Sequence, residues 1–124
     1  MIIVDDGLEI AHEHLSANPY SLGQDVPINC NEGDPNDPSP LKPEDNHGTS
    51  CAGLAAAVGF NNLGVIGVAP AVGLMGFRLI AGDSPDAATG RALARQPKDI
   101  LTHVSSNSWG PSDDGMGGGR ISSL

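Results

Sequence analysis

The sequence predicts an α/β fold built on a parallel sheet, and three observations predict it. Short aliphatic, often β-branched runs alternate with Ala-rich stretches of helical length, the pattern of strand–helix–strand units. Acids, a histidine and a tryptophan turn stand at the ends of these runs, where open parallel sheets gather their functional loops. The 124 residues, 39% apolar with 17 Gly and 10 Pro, suit one loop-rich globular domain and not a disordered chain.

Each element follows from its residues. Met1–Val4 is a buried strand running into the turn Asp5-Asp6-Gly7. Leu8–Leu15 is a short helix or turn, and Asn18–Asn29 has no clear period. Four prolines between Pro35 and Pro43 forbid helix or central strand, so Cys30–Asn46 is an extended acidic loop. His47-Gly48-Thr49 opens a helix whose small and apolar body, Ser50–Val58, suits a core position. Leu63–Val68 and Leu74–Ile80 read as strands separated by a turn near Pro70. Ser84-Pro85 has the form of an N-cap followed by proline at the first helical position, which predicts a helix over Asp86–Arg95, ended by Pro97. Ile100–Ser105 is a further strand leading into Asn107-Ser108-Trp109-Gly110-Pro111.

Charge narrows the function. Six Lys and Arg against 15 Asp and Glu leave a net charge of −9, which argues against nucleic acid or an anionic membrane as partner. Such a surface attracts calcium or a basic peptide instead. No window approaches the roughly 18–20 apolar residues of a membrane span, and no signal-peptide pattern precedes Ile2. Cys30 and Cys51 have no C-x-x-C spacing, which argues against a zinc site and leaves a single disulfide open.

Asp5-Asp6-Gly7 after a hydrophobic strand, and His47-Gly48-Thr49 at a helix start, resemble the first two catalytic segments of subtilisin-like serine proteases. The second acid at Asp6, the continuation Cys51-Ala52-Gly53 and the run Ser108-Trp109-Gly110-Pro111 with Asp113-Asp114-Gly115 are similar to the kexin/furin branch. Gly67-Val68-Ala69-Pro70 to Met75-Gly76-Phe77-Arg78 also resembles that family's strand pair after the histidine helix. The resemblance implies a three-layer α/β/α fold with a mostly parallel sheet. Residues 1–124 would be a partial catalytic domain, since nothing after Asp114 resembles the family's Gly-Thr-Ser nucleophile segment.

It further implies roles. Asp5 would orient His47, the general base, whose ordinary pKa of about 6.5 suits proton transfer near neutrality. Asp6 and Asp45, with Glu44, would line a pocket for a basic side chain, and Asp113 the base of the primary pocket. Ser108, Trp109 and Gly110 would pair with substrate backbone. Calcium is the implied cofactor, held by the acidic loop at Asp34 and Asp37 and by Asn61 with nearby carbonyls. His14 stands where the family usually has an aspartate ligand, and Ser50 where kexin-type enzymes usually carry arginine. Cys51 would be a free, buried thiol beside the base. A protein substrate, an N-terminal propeptide and a secreted or cell-surface location are implied as well. Rival readings are an inactive pseudoprotease or calcium-binding module, and a metal-dependent hydrolase using Asp5, Asp6 and His47 on one ion.

Overall fold

Ile2-Ile3-Val4-Asp5 is a β-branched run closed by an acid, and it forms the central strand β1 (Ile2–Asp5). The computed structural model describes residues 1–19, 37–82, 86–94 and 103–110. Among these, β1 is followed by α1 (His47–Ala56), β2 (Met75–Arg78), α2 (Asp86–Ala94) and β3 (Ser105–Asn107). The three strands are parallel in the order β2-β1-β3, with Ile2 opposite Met75 and Ser105, and Asp5 opposite Arg78. The chain therefore leaves β1 for one neighbour and later crosses to the other.

A strand covered on both faces should be apolar at every position, and β1 is buried throughout. Successive side chains face opposite ways, so its residues divide between two cores. Ile2 and Val4 join Met75, Phe77, Leu79 and Ala92, which places α2 on that face. Ile3 joins Leu8, Leu15, Ala52, Ala56 and Leu74, which places α1 on the other. This is the expected α/β/α layering.

Helix α1 buries Gly48, Ala52 and Ala56, a stripe of small residues one turn apart. A Cβ at Gly48 would overlap the Gly7 carbonyl and Asp5 Cβ, so only glycine lets the helix start lie this close to the end of β1. The helix begins at His47 as expected and ends at Ala56, short of Val58, and it is not enclosed all round: Leu54, on the opposite side, is 76% exposed.

Several other expectations are corrected. Leu63–Val68 is not a strand, because its backbone is used elsewhere. Gly67, Val68 and Ala69 donate N–H groups to the carbonyls of Ala57, Leu54 and Ala55, satisfying the open carbonyls at the end of α1. Leu74–Ile80 shortens to β2, and Leu8–Leu15 resolves as consecutive turns. The last strand lies over Ser105–Asn107 instead of Ile100–Ser105, of which residues 100–102 lie outside the described set. The second helix ends at Ala94; its expected Ser84-Pro85 start and Pro97 stop lie outside the described residues.

Buried Asn18, in a segment without sequence period, ties the helix end to the following turn. Its Nδ2 donates to the Ala56 and Val72 carbonyls at 3.0 and 3.1 Å. Among the described residues no helix is long and apolar enough to cross a membrane.

Candidate active site

The parallel sheet delivers Asp5 at the carboxyl end of β1, and the small-residue contact through Gly48 brings the start of α1 against it. Two groups 42 positions apart in sequence thereby meet. Asp5 is 1% exposed, and its Oδ1 lies 2.9 Å from His47 Nδ1. A carboxylate can only accept, so this bond places the proton on Nδ1. The histidine side chain is 54% exposed, which leaves Nε2 as the nitrogen available to exchange a proton. The hydrogen bond His47 donates to Asp5, then the charge of Asp5, hold the His47 pKa above its ordinary value against the smaller opposing effect of burial, with a lesser contribution from the charge of Asp6.

Asp6 is placed differently from Asp5. Its Oδ2 accepts from the His47 N–H at 3.1 Å and its Oδ1 from the Gly48 N–H at 2.7 Å. Asp5 thus grips the histidine ring while Asp6 grips the backbone beneath it. The spacing in sequence gave no hint of this second grip. Cys51, one helical turn on, is free and half-buried, with Sγ 3.9 Å from both ring nitrogens.

Trp109 reaches the same end of the sheet. Its Nε1 donates to the Val4 carbonyl at 2.9 Å, and its ring packs on the Ile2/Val4 core. This anchors the segment after β3 beside the end of β1. Ser108 Oγ lies 3.3 Å from Ser106 Oγ, and Gly110 stands in open space.

Among the described residues, the expected site residues Asp45, Asp37 and Asn61 do not join this cluster. Asp45 Oδ2 accepts from the Lys42 N–H at 3.2 Å and closes its own turn. Asp37 Oδ1 accepts from the Ser39 N–H at 2.9 Å. The Ser39 hydrogen bonds, with the charge of Arg78, hold the Asp37 pKa below the ordinary carboxylate value. Buried Arg78 donates to the Ser39 carbonyl, fastening this loop to the end of β2. Asn61 lies beyond the far end of α1, where its Oδ1 accepts from the Leu63 N–H at 3.1 Å. Asp34 and Asp113 lie outside the described residues.

The surroundings of Asn61 do not fit calcium. The His14 imidazole stands against Gly64, and its Nδ1 is buried with no hydrogen-bond partner among the described residues. A hard cation needs oxygen donors. Here a nitrogen ring faces the loop at Gly64 where an oxygen donor is needed.

Comparisons with known proteins bear on the family and the fold. The model of the subtilase family matches residues 2–123. Furin of Homo sapiens is 39% identical over 113 residues, which cover 91% of this chain and 14% of that protein. Furin-like protease 2 of Drosophila melanogaster is 41% identical over 117 residues, covering 91% of this chain and 6% of that protein. A crystal structure of the Aeromonas sobria serine protease with its chaperone matches at a TM-score of 0.72 and 35% identity. It is matched over 90% of this chain and 18% of its own. The chain thus spans a small part of the relatives it resembles. An Asp-held histidine at the carboxyl edge of a parallel sheet, and a family match over nearly every residue, lead to one conclusion: the chain belongs to the subtilase family.

Proposed function

We propose that this chain supplies the orienting carboxylate and the general base of a serine endopeptidase. The observation that carries this reading is the 2.9 Å bond between buried Asp5 and the half-exposed ring of His47. In the reaction His47 Nε2 takes the proton of a serine hydroxyl as its oxygen bonds to the scissile carbonyl carbon. The imidazolium so formed is stabilised by Asp5 and gives its proton to the departing amine. Water then repeats the cycle on the acyl-enzyme. The serine would come from a Gly-Thr-Ser segment of the full-length gene product.

Basic residues before the cleaved bond are the substrates this surface favours, given the net charge of −9 and the acids Asp6, Asp45 and Asp113. Ser108-Trp109-Gly110, with Trp109 anchored to Val4, would offer its backbone to the substrate as an added strand. Calcium would be a structural ion at Asp34 and Asp37 rather than near His14. A propeptide partner and a secreted or cell-surface location belong to the same reading.

Two facts weigh against a single-metal hydrolase on Asp5, Asp6 and His47. Asp6 is turned to the backbone N–H groups of His47 and Gly48 instead of to a point shared with Asp5 and the His47 ring, and Nδ1 is occupied by Asp5. Among the described residues the donors that converge within 4.8 Å are those of Asp5, His47 and Cys51. The test is to express the full-length gene product and assay a fluorogenic peptide ending in arginine, with and without calcium. Cleavage that disappears in His47→Ala supports the protease. No cleavage by the intact product under either condition favours the inactive alternative.

A further inference from the structure

Helix α1 starts without the usual local aids. Asn46 makes no side-chain cap bond, and the first turn contains no acid. The first N–H groups of a helix have no partners within it. Here they are answered from another element, since the one carboxylate of Asp6 accepts from both His47 N and Gly48 N. A negative charge at this end of the helix is also favoured by the helix dipole. The same dipeptide, Asp5-Asp6, therefore fixes the histidine twice, by its ring and by its backbone.

We propose that Asp6 is a positioning residue for His47 as well as an acid facing substrate, so that recognition of a basic side chain and placement of the base share one carboxylate. This rests on the protease reading and deepens it. A carboxylate has about four lone-pair sites, so one that accepts two N–H groups can still meet a lysine or arginine. It need not release the helix to do so. Loss of Asp6 would free the helix start, and with it the backbone from which the imidazole is aimed. A shift of about 1 Å in a reacting group is enough to cost about 10²-fold in rate.

The experiment compares wild type, Asp6→Asn and Asp6→Ala in the full-length gene product. Two peptides are used that differ only at the second residue before the cleaved bond, one Lys-Arg and one Ala-Arg. A role confined to recognition alters the Lys-Arg peptide alone and chiefly through KM. The positioning role lowers kcat on both peptides, by about threefold in Asp6→Asn, which keeps one acceptor, and about tenfold or more in Asp6→Ala. The low-field proton resonance of His47 Nδ1–H shifts or broadens in the same order. If Asp6→Ala does not fold, Asp6→Asn decides alone. A kcat on the Ala-Arg peptide within about twofold of wild type, with an unmoved resonance, overturns the proposal and leaves the protease reading standing. A wild-type product that cleaves neither peptide overturns that reading, and this proposal with it.

Discussion

Asp5 sets what His47 can do, because an acceptor at Nδ1 selects the tautomer whose Nε2 can take a proton. Asp5→Asn keeps the shape and removes the charge; in serine proteases that change costs about 10⁴-fold in kcat. The same loss is expected here, read as kcat in the full-length product. The raised His47 pKa gives a pH test with a definite sign. On the proposed reading His47 must be neutral to act as base, so kcat/KM is expected to rise with pH through a midpoint above 6.5 and stay high above it. A midpoint at or below 6.5 would contradict the bond to Asp5. Folding runs the other way: the bond favours the protonated ring, so its contribution is full below 6.5 and is lost as pH climbs past the native value. His14 supplies a separate test. His14→Asp replaces a nitrogen ring by an oxygen donor on the side of the loop at Gly64, and a calcium-dependent rise in melting temperature is expected in the variant. An equal calcium response in the parent would show that the imidazole does not exclude the ion. Asp5 and His47 were legible in the sequence because Asp-Asp-Gly after a strand and His-Gly-Thr before a helix are local patterns. The grip of Asp6 on the helix was not, because it joins residues 41 and 42 positions apart.

At the scale of elements, α1 is held against β1 by what its buried stripe lacks. Alanine is a better helix former than glycine by about 1 kcal/mol, so propensity alone favours Gly48→Ala. The added Cβ would meet the Gly7 carbonyl and Asp5, and overpacking costs about 1–3 kcal/mol. Contact with backbone, which cannot swing aside, puts the result at the upper end, so Gly48→Ala is expected to be destabilising in denaturant unfolding and to lower kcat. Asn18 secures the opposite end of the helix. Asn18→Leu would leave the buried Ala56 and Val72 carbonyls without their donor, at a cost of about 1–3 kcal/mol in the same measurement. The strands were legible where burial on two faces demanded apolar residues, as at Ile2–Val4 and Met75–Phe77. Leu63–Val68 misled because a β-branched run signals a strand only if a neighbouring strand is free to pair. Here the N–H groups of Gly67 and Val68 close the end of α1 instead. The small residues of α1 suggested burial on every side, but a helix on one sheet face buries one stripe.

For the whole molecule, the three strands and two helices among the described residues place Asp5, Asp6, His47 and Trp109 at one end of the sheet, yet they leave much apolar surface in water. Phe60 is 97% exposed and Val68 93%, with Leu54, Val65 and Ile66 also exposed around the end of α1. Val68 N donates to the Leu54 carbonyl and Gly67 N to that of Ala57, so exposed Val68 and Leu54 stand side by side at the end of α1. Contiguous apolar surface of this kind marks a contact face or a site of association. On the other side of the molecule β3 is three residues long and pairs with β1, a short edge with limited pairing strength. The 124-residue chain taken alone is therefore expected to bind a hydrophobic dye, to associate as concentration rises, and to unfold without a sharp transition. Phe60→Ser with Val68→Ser should lower dye binding and association together while leaving the Asp5–His47 pair intact, since both positions lie beyond the opposite end of α1. On the proposed reading the 124 residues alone should show no peptidase activity, because among the described residues no serine hydroxyl meets His47 Nε2. Dye fluorescence, sedimentation and a thermal scan would decide the matter together. A monomer with a cooperative transition and no dye binding would mean that the two core clusters stabilise the fold on their own, despite the apolar face around α1.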